Sequence, residues 1–405
     1  MTLSIRTISR DELTAFRHAA MGAFGADPED DSAEADERSA RTIELDRSYA
    51  AFDGAAIVGT SSTFSLELAI PGGRLPMAGF TMATVSPTHR RRGILRDMLS
   101  AHFRDVRARG EPLSGLWASE ASIYGRFGYG VAAEGHQLRY ANLELPDQDC
   151  DPVELVDIKR AAELLPAAYA RLAAERPGTF SRTDAWWKTR SLHDPPERRG
   201  GASARRHAVA LRDGKPTGYV VYRQRSSWDG AVADGSIEIV EMIAADLRAE
   251  LALWRLVSNI DLFPRVSWWN APVDAPLPWL ATDRRRLTRT RTDTLWLRIC
   301  DVSAALTSRA YASDGELTLA IDDALFPDNA RTYELGVEGD RATCELSSRA
   351  PEVKLDIDAL SSLYLGGVSP STLARAGRID GSPEALRVAD RLFFWPVAPW
   401  CPEIF

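Results

Sequence analysis

One order of elements occurs twice along this chain, and few folds accommodate it. The stretch "YAAFDGAAIVGTSSTFSLEL" (residues 49–68) reads as a strand, a turn at Asp53-Gly54 and a returning strand. An Asp-Gly pair between alternating apolar runs takes the backbone angles of a two-residue hairpin. A strand "GFTMATV", a helix from Ile94 and a strand "LSGLWAS" follow. In the helix Ile94, Leu95, Met98, Leu99, His102, Phe103 and Val106 recur at helical spacing, which predicts an apolar face packed on a sheet. The order then returns as a hairpin "HAVALRDGKPTGYVVYR" around Asp213-Gly214, a strand "SIEIVEMIA", a helix "DLRAELALWRLVSNI" and a strand "RVSWWNA". Ahead of it, "PVELVDIKRAAELLPAAYARLAAERP" predicts a helix. A repeat this long indicates two α/β domains of diverged sequence, not a solenoid.

The chain has 405 residues, room for about two to three domains. Beyond the Pro-rich "NAPVDAPLPW" lies the basic "DRRRLTRTRT", which reads as a solvated connector. After it "TLWLRICDV", "GELTLAI", "RTYELGVEG", "ATCELSS" and "VKLDID" read as strands, with helical segments after Asp358 and Ser382. The expected division is an α/β domain over residues 1–145, a second over 146–290 and an α+β domain over 291–405. The first is expected to run β-β-β-α-β-α, its last helix in "EASIYGRFGYG".

The formal charge is −8. That balance excludes a general nucleic-acid binder, which needs a basic surface to neutralise phosphates, and favours cationic substrates. No apolar run reaches the ~18 residues of a membrane span, so no membrane partner is expected. The first residues hold no apolar core of a secretory signal, which predicts a cytoplasmic location. Cys150, Cys300, Cys344 and Cys401 are far apart, with no CxxC pair, so no metal site is expected.

The chemistry concentrates in "VSPTHRRRGILRDML" (85–99). A strand entering an Arg-Arg-Gly turn before a helix presents free backbone N–H groups and the positive end of the helix dipole together, an arrangement that holds phosphate. A side chain at Gly93 would keep a diphosphate off the backbone, while Arg91, Arg92 and Arg96 add charge-assisted hydrogen bonds. There is no GK[ST] ending and no GxGxxG, so neither a Walker loop nor a dinucleotide turn is indicated. In the second copy "RAELAL" replaces "RRRGIL", and Asp246 and Glu250 stand at the helix start. An anion would meet carboxylates there, so the second copy reads as structural, with a possible share in lining the substrate pocket.

The turn resembles the R/Q-x-x-G-x-G/A coenzyme A signature of the GNAT acetyltransferases, with Leu95 departing from the usual small last residue. "SEASIYGRFGYG" resembles their second signature, Tyr-x-x-x-Gly-Phe/Tyr, with Tyr124, Gly128 and Tyr129 in place. The tandem layout and a chain ending in phenylalanine are similar to the Eis family: a GNAT domain, a degenerate second GNAT domain and a sterol-carrier-protein-like α+β domain. That resemblance implies acetyl transfer from acetyl-CoA, as co-substrate, to amines (aminoglycosides, polyamines or lysine side chains) and assembly as a homohexamer. It implies that the backbone of Ala83, Thr84 and Val85 holds the pantetheine and the thioester carbonyl. Arg91, Arg92, Gly93, Ile94, Leu95 and Arg96 would hold the phosphates, and Ser119 and Glu120 would lie by the thiol end.

The same resemblance makes Tyr124 the general acid. A phenol of ordinary pKa about 10 stays neutral at pH 7 and can protonate a departing thiolate. It makes the terminal carboxylate of Phe405 the general base, although an α-carboxylate of ordinary pKa near 3.5 needs burial or a relay water for that task. The tail "FFWPVAPWCPEIF" has the aromatic area to dock and three prolines to stiffen it. Asp27, in the acidic run "ADPEDDSAEADE", and Glu403 are candidate substrate contacts. His89, His102 and the tryptophans Trp186, Trp187, Trp268 and Trp269 read as structural. Two other readings stay open on the sequence: a lipid or small-ligand carrier built on the last domain, and a catalytically silent scaffold that keeps the coenzyme turn.

Overall fold

The computed structural model describes residues 3–25 and 33–405. Ser4–Thr7 (β1), Tyr49–Asp53 (β2), Ala56–Ile70 (β3), Gly73–Val85 (β4), Leu113–Trp117 (β5) and Gly130–Val131 (β6) come first, with helices Leu13–Ala23 (α1), Ala33–Ser39 (α2) and Ile94–Ala108 (α3). Next are Glu134–Ala141 (β7), Val153–Val156 (β8), Arg206–Arg212 (β9), Lys215–Arg225 (β10), a short pair Trp228–Asp229 (β11) and Val232–Ala233 (β12), Ser236–Ala244 (β13), Arg265–Pro272 (β14) and Thr288–Asp293 (β15). Helices Ile158–Leu172 (α4), Asp184–Trp186 (α5), Leu247–Ser258 (α6) and Leu277–Leu280 (α7) lie among them. The last strands are Leu295–Ile299 (β16), Gly315–Asp322 (β17), Thr332–Glu338 (β18), Arg341–Leu346 (β19), Val353–Asp356 (β20) and Ile379–Gly381 (β21). Their helices are Val302–Ser308 (α8), Ile357–Leu363 (α9), Pro370–Arg375 (α10) and Pro383–Phe393 (α11).

Chain contacts divide the protein into two units. The first joins the chain up to Ala132, Leu295–Pro396 and Glu403–Phe405; the second joins Ala133–Thr294 and Val397–Pro402. The first unit holds a seven-stranded sheet in the order β1-β2-β3-β4-β5-β16-β6, in which β4 and β5 are parallel. Helix α3 buries Met98, Leu99, His102, Phe103 and Val106 as its spacing predicts, and Leu99, Phe103 and Val106 share a core cluster with Ala78, Phe80 and Leu116 of the sheet. Fully buried His102 ties the layers together: its Nδ1 is 2.9 Å from the Thr63 hydroxyl and its Nε2 2.8 Å from that of Ser114. A second sheet of this unit runs β19-β18-β17-β20-β21. Helix α9 packs on β16 and β6, where the Ile299 N–H donates to Ser361 Oγ at 3.0 Å.

The second unit repeats the plan, with a sheet β15-β7-β14-β13-β10-β9-β8 in which β13 and β14 are the parallel pair. Its core is rich in indoles: Trp254 is fully buried, Trp268 stands 5.9 Å from it and Trp400 packs edge-on to Trp268.

Four local expectations are corrected. "EASIYGRFGYG" forms a single 3-10 turn, Gly125–Phe127, because Gly128 at φ +82° reverses the chain where a helix would have to continue. The segment from Pro152 begins as strand β8, paired with β9, before α4 starts at an Asp157 N-cap. The basic connector is in part strand: Thr288–Asp293 pairs with β7 as a sheet edge, where exposed arginines discourage further pairing. "TLWLRICDV" supplies β16 to the first sheet, pairing with β5 and β6. The chain passes between the two units at Ala132/Ala133 and Thr294/Leu295. Hydrogen bonding to distant strands, invisible in local pattern, sets these crossings.

Candidate active site

Strands β4 and β5 pair only at Met77↔Leu113, Ala78↔Ser114 and Gly79↔Gly115. Beyond Gly79 they part, and β4 runs on to Val85 with one backbone edge free of β5. Within that stretch Met82 has φ +51°, and the register with β3 slips between Thr60 and Ser62. One residue too many in β4 makes a bulge, which leaves backbone groups unpaired. The Met82 carbonyl accepts from Thr60 Oγ1 at 2.8 Å, and Thr60 Oγ1 meets Thr84 Oγ1 at 2.6 Å. Ala83, Thr84 and Val85, all half-buried, follow the bulge at the open edge.

Next comes the arginine turn. Pro87–His89 is a 3-10 turn, Arg91 has φ +63°, and Gly93 at φ +83° is the N-cap residue of α3, with no side chain capping the helix. The first N–H groups of α3 are thus left for an outside acceptor. Arg90, Arg91, Arg92 and Arg96 are all exposed, and neither Arg91 nor Arg92 has an ion pair among the described residues. Arg96 bridges to Asp97 at 3.0 Å, and a Cβ on Gly93 would come within 2.8 Å of its guanidinium. Ile94 is buried under the turn and Leu95 half-buried: they anchor the helix while the backbone above them faces out. The turn fits a diphosphate.

In the second unit the counterpart is closed. Asp246 caps α6 by accepting from the Ala249 N–H at 3.1 Å, and its carboxylate is ion-paired with Arg212 at 2.9 Å. A side-chain anion already occupies the place an incoming one would take.

Tyr124 follows β5, on the turn that ends in Gly128. It is buried in the cluster with Ala78, Phe80, Phe127 and Tyr129, its ring edge-on to Tyr129 at 6.0 Å. Burial first, then the charge of Glu120, raises its phenol above the ordinary value. The hydroxyl has no hydrogen-bond partner among the described residues. Ser119 and Glu120 are exposed on the same turn.

Phe405 is 4% exposed. Its ring lies against Gly79, where an added Cβ would stand 3.2 Å from ring carbons, and the Thr81 hydroxyl donates to its carboxylate at 2.9 Å. Side chains alternate along a strand, so Ala78 and Phe80 face α3, and Gly79 and Thr81 face the other way. The tail end and the tyrosine therefore flank β4 just where it leaves β5. Glu403 is half-buried on the same tail; Asp27 lies outside the described residues.

Gly79, Thr81 and Met82 join the site unannounced. A glycine inside the apolar strand "GFTMATV" is the signal that could have marked a close approach; Thr81 and Met82 carry none.

Comparison with known proteins identifies the domains. Residues 4–132 and 178–299 each match the acetyltransferase (GNAT) domain family, and residues 302–402 match the sterol carrier protein domain family. The chain is 36% identical over its whole length to an uncharacterized N-acetyltransferase of Streptomyces avermitilis, itself matched in full. It is 37% identical to the N-acetyltransferase Eis of Mycobacterium tuberculosis over 84% of each chain. The crystal structure of Eis1 from Mycobacterium abscessus superposes with a TM-score of 0.86 at 31% identity, covering 99% of this chain and all of that one.

Proposed function

Because this chain belongs to the Eis family of GNAT acetyltransferases, and is an enzyme of that acyltransferase class, we propose that it acetylates primary amines: aminoglycosides, polyamines or lysine side chains. Acetyl-CoA supplies, as co-substrate, an acetyl group on a thioester. The free N–H groups at Gly93–Arg96 and the exposed Arg91 and Arg92 take its diphosphate, and the backbone of Ala83, Thr84 and Val85 takes the pantetheine arm and the carbonyl oxygen, with Val85 sharing the charge that develops there. Ser119 and Glu120 border the thiol end.

Tyr124 gives its phenolic proton to the departing sulfur, and the Phe405 carboxylate takes the proton that the attacking nitrogen sheds, directly or through one water. The C–N bond forms, the C–S bond breaks, and one proton moves at each end. The observation that carries this reading is the hold on Phe405: a ring packed on Gly79 and a carboxylate fixed by Thr81, beside the bulge at Met82. Glu403, on the same tail, contacts the amine substrate. By kinship the working assembly is a homohexamer, divided within each chain into a catalytic GNAT part, a degenerate GNAT part and a sterol-carrier-like part.

Thiol release from acetyl-CoA with a panel of amines tests the proposal. An amine-dependent rate is expected, falling by about a hundredfold in kcat in Tyr124→Phe, the usual worth of a general acid. Coenzyme binding with no turnover on any amine would leave the silent-scaffold reading standing, and an unchanged rate in Tyr124→Phe would remove the acid from that residue.

A further inference from the structure

The second unit contains a cavity of about 130 Å³. Pairing of β13 with β14 ends at Ile239↔Trp268, and the cavity opens where they part, walled by Met242 and Ile243 on one strand and Trp268 on the other. It is the same topological place as the parting of β4 from β5, in the copy whose helix N-terminus Asp246 has closed to phosphate. The volume is several times what a single water needs, which leaves room for an ammonium on a short alkyl chain.

Three charged side chains face it. Arg176 and Asp274 are ion-paired with each other, and the Arg176 guanidinium lies over the Trp400 ring at 5.7 Å. That pair cancels. Glu250, in the first turn of α6, accepts from the Trp254 indole N–H at 3.1 Å and has no ion pair among the described residues. Burial raises its carboxyl to about 7, against the opposing pull of the Trp254 hydrogen bond and of Arg176. Opposite stand the indoles of Trp268 and Trp400, packed edge to face at 6.0 Å. A cavity with one acid outside any ion pair and an indole wall attracts an alkylammonium, through the carboxylate with the alkyl chain against the indoles. An anionic ligand would meet Glu250 and Asp274.

We propose that this cavity is a second ligand site, which takes the terminal ammonium of a small primary amine on Glu250, beside the wall formed by Trp268 and Trp400. No acetyl transfer occurs there, because the site lacks the phosphate turn. It binds the same chemical class as the proposed acceptor at a place remote in sequence from Tyr124, so amine occupancy exceeds one per chain.

The test uses the full chain labelled with 5-fluorotryptophan and titrated with propylamine hydrochloride in the absence of acetyl-CoA. Variants Trp268→Phe and Trp400→Phe assign those two fluorine resonances among the eleven tryptophans. Both resonances should shift to saturation in the parent chain, and at least about tenfold more amine should be needed in Glu250→Gln, which removes the counter-charge. Unmoved resonances from the other tryptophans show that the variant is folded. Static Trp268 and Trp400 resonances, an identical titration in Glu250→Gln, or the same shifts with sodium propionate would overturn the proposal. The readout needs no turnover, so it stands or falls apart from the acetyl-transfer reading.

Discussion

At the scale of single residues, two buried groups set the pH behaviour. Tyr124 has its phenol raised by burial and by Glu120, so it keeps its proton beyond the ordinary value of about 10. A pH profile of kcat/KM should rise as the amine deprotonates and show no alkaline limb from Tyr124 below about pH 10; a limb near 8 that vanishes in Tyr124→Phe would contradict this. His102 behaves in the opposite sense. Burial first, and the charge of Arg47 second, lower its pKa to about 3, while the unfolded chain titrates it near 6.5. Between those values the unfolded state binds the extra proton. Its contribution is therefore whole above about pH 6.5 and lost as pH falls toward 3, by up to about 1.4 kcal/mol per pH unit. Chemical unfolding followed from pH 7.5 to 4 should show a shallower decline in His102→Gln than in the parent, from a lower starting stability.

At the scale of elements, the account depends on how β4 ends and α3 begins. Gly93→Glu adds a side chain at φ +83°, where the incoming Cβ meets Arg96, and places a carboxylate over the open helix N-terminus. Calorimetric titration with coenzyme A should lose at least about a hundredfold in affinity, a ΔΔG of ~3 kcal/mol, while the fold persists. Unchanged affinity would move the diphosphate elsewhere. This turn was legible because its information is local: strand, arginines, glycine and amphipathic helix lie in fifteen consecutive residues. The two hairpins at Asp53-Gly54 and Asp213-Gly214 were legible for the same reason, and both glycines take positive φ. The stretch around Gly125–Phe127 forms a 3-10 turn where a helix is expected, because Gly128 at φ +82° stops it. The bulge at Met82 has no signature at all, since it arises from a one-residue mismatch between β3 and β4 that only their pairing reveals.

At the scale of the whole molecule, neighbours in the sheet are not always neighbours in the chain. Leu295–Ile299 returns to join the first sheet, and Phe405 returns to lie against Gly79 and Thr81 of β4. The repeat of the domain plan was visible in sequence, whereas the pairing of Leu295–Ile299 with β5 and β6 was not, because cross-sheet pairing leaves no periodicity behind. The proposed base, the α-carboxylate of Phe405, cannot be replaced by any side-chain substitution. Replacing it chemically is the decisive measurement. A semisynthetic chain ending in Phe405 amide keeps the ring on Gly79 and removes the acid alone. Acetyl-CoA binding should be unchanged, and amine acetylation at pH 7.5 should fall by about a hundredfold or more in kcat. Turnover within about twofold of the native carboxylate, with binding intact, would contradict the claim that the chain's own end is the base.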